Sequence, residues 1–96
     1  MIKINTEITS RHGKSIGVVT QSNGKSFTFT RATGKTVKIT ASKIKSTLQR
    51  LQQGETLLYQ RNPGEGGISY TVAIERGVIA GLGDQVFDTG EGYILA

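Results

Sequence analysis

Apolar and polar residues alternate from Ile2 to Thr9, with Ile2, Ile4, Thr6 and Ile8 on one side and Lys3, Asn5, Glu7 and Thr9 on the other. A period of two predicts a half-buried strand. Ser10-Arg11-His12-Gly13-Lys14 reads as a turn, with Gly13 free to take positive φ. Ser15 to Gln21 predicts a second strand and Ser26 to Arg31 a third. Between them Asn23-Gly24 predicts a type I′ hairpin turn, which needs positive φ at both central residues. That turn pairs Thr20 with Phe27, Val18 with Phe29 and Ile16 with Arg31, so Val18 joins both phenylalanines on the core face. Ala32-Thr33-Gly34 predicts the next turn. Thr36 to Thr40 predicts a fourth strand, with Val37 and Ile39 inward and Lys38 outward.

The period changes after Thr40. Ala41, Ile44, Leu48 and Leu51 recur at helical spacing and predict an amphipathic helix near residues 41–53. Thr40 or Ser42 supplies an N-cap acceptor, and Gly54 suits the left-handed residue just past the end. Thr56 to Arg61 returns to strand. Asn62-Pro63-Gly64-Glu65 fits a type II turn, with Pro63 and Gly64 at its central positions. Ile68, Tyr70, Val72 and Ile74 alternate with polar or small residues and predict another half-buried strand. Val86-Phe87 and Tyr93-Ile94-Leu95 predict a last hairpin around Asp88 to Gly92. Together these elements predict an α+β fold: a mainly antiparallel sheet of about six to eight strands in several hairpins, with one central helix. Their apolar faces, Ile4, Ile8, Val18, Phe27, Phe29, Val37, Ile39, Leu58, Tyr70 and Leu82 among them, are the expected core.

Length and composition narrow this picture. Ninety-six residues predict a single domain spanning 1–96. No run approaches the ~18 consecutive apolar residues of a membrane span, and the first residues do not resemble a secretory signal. The chain has no cysteine. Disulfides, thiolate metal sites and a cysteine nucleophile are therefore excluded, and a reducing, cytoplasmic location is the expectation.

Charge changes the picture more. Residues 1–54 carry ten Lys/Arg and one acid, Glu7, for +9; residues 55–96 carry two bases and six acids, for −4. Between Glu7 and Glu55 nine bases are uninterrupted by any acid. Such a field attracts polyanions and points to nucleic acid as the partner. Gly13-Lys14, Gly24-Lys25 and Gly34-Lys35 each place a lysine at the base of a turn. Lys43, Ser46, Thr47 and Arg50 are expected on the outward side of the helix, with no acid to pair with. The predicted nucleic-acid-binding set is Lys14, Lys25, Lys35, Lys38, Lys43, Ser46, Thr47 and Arg50.

Two local resemblances bear on that set. Lys25-Ser26-Phe27-Thr28-Phe29 is similar to the aromatic strand of cold-shock domains, which implies rings exposed for base stacking. The hairpin pairing instead argues for Phe27 and Phe29 in the core. Ser42 to Val72 resembles in outline the end of a winged-helix domain: helix, strand, glycine-rich wing, strand. That resemblance implies a helix entering the major groove, although residues 1–40 read as strands where that family has helices.

No constellation for catalysis stands out. His12 is the only histidine, in a polar turn with no orienting carboxylate beside it in sequence. Asp84, Asp88 and Glu91 do not match a calcium loop and read as turn acids. Glycines 64, 66 and 67 lack the Lys-Ser/Thr and helix that complete a phosphate-binding loop. The expectation is a non-catalytic binding module without metal or cofactor. The alternative is a protein-interaction module, either a self-assembling structural component or a small inhibitor encoded by a phage or mobile element. Unpaired sheet edges would favour self-association.

Overall fold

The computed structural model describes residues 2–61 and 68–96. The predicted turn at Asn62 to Glu65 lies outside the described residues. The chain forms an α+β fold of two antiparallel sheets and, among the described residues, two α-helices. The first sheet is a meander in the order β1 (Glu7–Thr9), β2 (Ser15–Asn23), β3 (Ser26–Thr30) and β4 (Thr36–Ile39). Helix α1 (Ala41–Gln52) follows β4. The second sheet, in the order β5-β7-β6, comprises β5 (Leu57–Leu58), β6 (Val86–Asp88) and β7 (Gly92–Leu95). Helix α2 (Tyr70–Leu82) lies in sequence between β5 and β6. No helix among the described residues is long and apolar enough to cross a membrane.

The turns of the meander follow the local sequence. Ser10 to Lys14 and Arg31 to Lys35 are built alike. The outer residues are joined by N–H···O bonds of 2.8 Å, and Gly13 and Gly34, at φ +83° and +86°, donate back to Ser10 and Arg31. This is a type I turn closed by a left-handed glycine, a common three-residue hairpin loop. The β2–β3 turn differs from expectation by one residue. Asn23 pairs with Ser26, so Gly24 and Lys25 are central, and only Gly24 has positive φ (+64°). That is the type II′ pattern rather than type I′.

The slip moves the core face. Val19, not Val18, stands opposite Phe29, and Ser22 opposite Phe27. A second irregularity absorbs Thr20 between Val19 and Gln21, and a third skips Ile16 against β1. Bulges of this kind bend the strand and re-aim its side chains, so Ile16 and Val19 are both buried. The predicted first strand is also shortened. Asn5 takes φ +74° in a turn closed by Thr6 N–H to Lys3 C=O, which leaves Ile4 exposed. On β3 and β4 the expected facing holds, Val37 and Ile39 inward and Lys38 outward: Phe27 pairs with Ile39, Phe29 with Val37, and Lys38 with Thr28 on the open face.

Helix α1 begins where predicted. The Thr40 hydroxyl accepts from Lys43 N–H at 3.1 Å, and Gly54 follows the end at φ +89°. Its buried residues are Ile44, Thr47 and Leu51.

The predicted strand at Ile68 to Glu75 is instead the start of α2. Its alternation of Ile68, Tyr70, Val72 and Ile74 overlaps a helical face of small residues. Ala73, Gly77, Val78 and Leu82 are buried, and the Ser69 hydroxyl caps the start by accepting from Val72 N–H at 3.2 Å. Gly77 and Gly81 disfavour an isolated helix by about 1 kcal/mol each. They let α2 approach both the sheet and α1: a Cβ on Gly77 would lie 2.7 Å from Ile39 Cδ1 of β4, and one on Gly81 would lie 2.7 Å from Ile44 Cδ1 of α1. Packing against a formed sheet therefore decides the helix, as it does for most short helices. The core joins Ile8, Ile16, Val19, Phe27, Phe29, Val37 and Ile39 of the first sheet to Ile44 and Leu51 of α1 and Ala73, Val78 and Leu82 of α2. Tyr70 and Leu58, expected in the core, are exposed.

Candidate functional site

The predicted basic residues do not form one surface. A meander alternates its connections between two ends. Lys14 and Lys35 therefore share one end of the first sheet, in turns two strands apart, about 10 Å. Lys25 stands at the opposite end, where it and Lys45 border a cleft of about 600 Å³ floored by Phe27 and Ile44. Lys38 is on the open sheet face. Lys43 and Arg50 line a third region, a groove of about 390 Å³ between α1, β5 and α2.

Two of the helix residues do not face outward free. Thr47 is 6% exposed, and its hydroxyl donates to Lys43 C=O at 2.8 Å. Arg50 forms an ion pair with Glu55 at 3.1 Å, an acid just past the helix that sequence spacing did not pair with it. Ser46 remains exposed, its hydroxyl donating to Lys43 C=O at 3.1 Å. Phe27 and Phe29 are 3% and 0% exposed, so neither ring is available to stack a base. The winged-helix outline ends at α2, where that family has a strand.

A different basic cluster forms at the Lys14–Lys35 end. Arg11 and His12 from the β1–β2 turn, Tyr59 and Arg61 after β5, and Glu75 and Arg76 of α2 line a groove of about 520 Å³. The turn that closes on Gly13 carries Arg11 at its first loop position. Its guanidinium carbon lies 3.7 Å from the centre of the Tyr59 ring. Cation–π attraction and face contact favour that placement. Tyr59 is itself held: its hydroxyl donates to Asp88, and its ring meets Tyr93 edge-on at 5.4 Å. The Asp88 bond and partial desolvation raise the Tyr59 phenol above its usual pKa, with Arg11 opposing. The same bond and the Gly90 N–H at 2.8 Å lower the Asp88 carboxyl.

Arg76 is anchored on two sides. Nε donates to Thr9 C=O at 2.9 Å, and Nη1 donates to the Tyr93 hydroxyl. Burial raises the Tyr93 phenol, with Arg76 opposing. The guanidinium has five N–H donors, and among the described residues these two bonds use only Nε and Nη1. Arg31 ties the β3–β4 turn to the start of α2, donating to Ile68 C=O at 2.5 Å. Glu75 accepts from Gln60 N–H at 2.8 Å, which keeps a carboxylate within the same groove. Arg61 and Arg76 come from the net-acidic half of the chain, so a count by sequence halves missed them. Arg11 was visible as a turn base, but the aromatic beneath it was not.

A second surface is apolar. Pairing places Leu58 opposite Gly92 and Phe87 opposite Ile94, so Leu58, Phe87 and Ile94 share one face of the small sheet. They are 66%, 58% and 37% exposed.

No protein-family model, curated protein or solved structure matches this chain.

Proposed function

We propose that the chain is a non-catalytic module that binds nucleic acid across the end of the first sheet carrying Arg11, Lys14, Lys35, Arg61 and Arg76. The observation that carries this reading is the convergence of Arg11, Arg61 and Arg76 on one groove, with the turn lysines beside it. Arg11 and Arg76 are held in place, and guanidinium groups suit phosphate oxygens through paired N–H bonds. Lys25, Lys38, Lys43, Ser46, Thr47 and Arg50 lie elsewhere on the fold and are not part of the proposed interface.

The test is a salt titration. Neutralising about five phosphates gives a slope of log K against log salt near −4.5 on a duplex and near −3.5 on a single strand. Arg61→Ala should weaken binding and reduce the slope by about 0.7–0.9. Absence of binding at low salt defeats the reading.

The exposed stripe of Leu58, Phe87 and Ile94 favours a second reading, self-association of two copies through the small sheet. Exposed apolar side chains on a short sheet with open edges are a common start for such contacts. Sedimentation velocity across a concentration series tests it, and a monomer at high concentration counts against it.

A further inference from the structure

We infer that the groove selects single-stranded nucleic acid and stacks one base on the outward face of the Arg11 guanidinium. This rests on the nucleic-acid reading and adds to it which form is bound and how.

The argument begins with the turn. The left-handed Gly13 closes a tight loop that projects Arg11 beyond the end of β1. The guanidinium covers the Tyr59 ring at 3.7 Å, so one of its faces is occupied. Arg11 is exposed as a residue, and the face turned away from Tyr59 is the one a base would meet. The Tyr59 ring beneath is fixed by Asp88 at its hydroxyl and by the edge contact with Tyr93. A flat cation propped on an anchored ring is preorganised, and little side-chain freedom remains to be lost on binding. Bases stack on arginine planes as they do on aromatic rings, adding a cation–π component.

Only an unpaired base exposes its faces for this contact. In a duplex both faces are covered by neighbouring base pairs, so stacking on Arg11 requires unstacking first. The groove also suits a base better than a run of backbone. Its volume of about 520 Å³ lies in the range of sites for single small molecules. Glu75 within it repels phosphate but accepts from an exocyclic amine. The backbone would then follow Arg61, the Arg76 guanidinium and the turn lysines.

The experiment compares Arg11→Lys with Arg11→Ala. Lysine retains the charge and removes the plane. Binding is read by fluorescence anisotropy with a short fluorescein-labelled single-stranded DNA and a duplex with the same number of phosphates. The single strand should bind tighter. Arg11→Lys should weaken it about tenfold, close to the loss for Arg11→Ala, while keeping the wild-type salt slope. Lys45→Ala, at the opposite end, should bind as wild type. Circular dichroism verifies that each variant is folded.

Wild-type affinity of Arg11→Lys for the single strand, or a duplex bound as tightly as the single strand, overturns the inference and leaves the nucleic-acid reading standing. No binding of either DNA at low salt overturns both.

Discussion

The Arg11 guanidinium rests on the Tyr59 ring, 3.7 Å from its centre, and so joins the first turn of the large sheet to the segment after β5. The Tyr59 hydroxyl continues the chain of contacts to Asp88 on β6. Tyr59 should therefore titrate late. Its raised pKa means that its contribution to stability is full below the unfolded value of 10.0 and is lost as pH rises through the folded value. Asp88→Ala removes the main cause, the acceptor of the Tyr59 hydroxyl, so the Tyr59 transition should move down in a phenolate absorbance titration. An unmoved transition would show that Asp88 does not hold the phenol.

Acid reads the same pair from the other side. Asp88 has a lowered pKa, so its contribution is present above the ordinary carboxylate value of 3.8 and is lost as pH falls through the lower folded value. The fall in wild-type stability below that pH should be shallower in Asp88→Asn, as measured by urea unfolding at a series of acidic pH values.

Gly77→Ala tests the seat of α2. Alanine favours helix by about 1 kcal/mol over glycine. Its Cβ would meet Ile39 Cδ1 at 2.7 Å and Phe29 Cε1 at 2.9 Å within the packed core. Overpacking of that kind costs about 1–3 kcal/mol. The clash should win, with a net loss of about 1 kcal/mol in denaturant unfolding. Adding Ile39→Val removes Cδ1 and should cost less than the two single changes combined.

Thr47→Val separates the fold from the sequence expectation for α1. The hydroxyl is buried against Lys43 C=O rather than turned to a ligand. Its loss should cost about 1 kcal/mol of stability and leave nucleic-acid affinity unchanged in the anisotropy assay.

Phe87→Lys places a charge in the exposed apolar stripe of the small sheet. If copies associate there, sedimentation velocity should show the variant shifted to monomer at concentrations where the wild type self-associates. Equal behaviour of the two proteins would exclude Phe87 from any such contact.

Much of the fold was legible in local signals. The first four strands, the glycine-closed turns between them and the Thr40-capped helix each depend on residues within a few positions of one another. Turn chemistry and capping act at that range, and so the α+β class and the inward set Phe27, Phe29, Val37 and Ile39 could be read directly. The register of β2 could not. Two bulges change which side chains face inward, and Val19 replaces Val18 because the core selects the packing that fills it. Helix α2 was hidden for a related reason. Its glycines disfavour an isolated helix and its β-branched residues favour a strand, and only the nearby faces of Phe29 and Ile39 make the small stripe at Ala73 and Gly77 useful.

The sequence by itself determined a net charge of +5 with nine unbroken bases, the absence of cysteine chemistry, and the turns that carry Lys14, Lys25 and Lys35. Tertiary structure decided which bases meet. A meander sends successive turns to opposite ends and a period-two strand sends successive residues to opposite faces, so neighbours in sequence part. Arg11, Arg61 and Arg76 converge because β1, the segment after β5 and α2 pack at one end of the sheet. Charge is a property of composition, but a site is a property of distance, and only the packed chain sets distance.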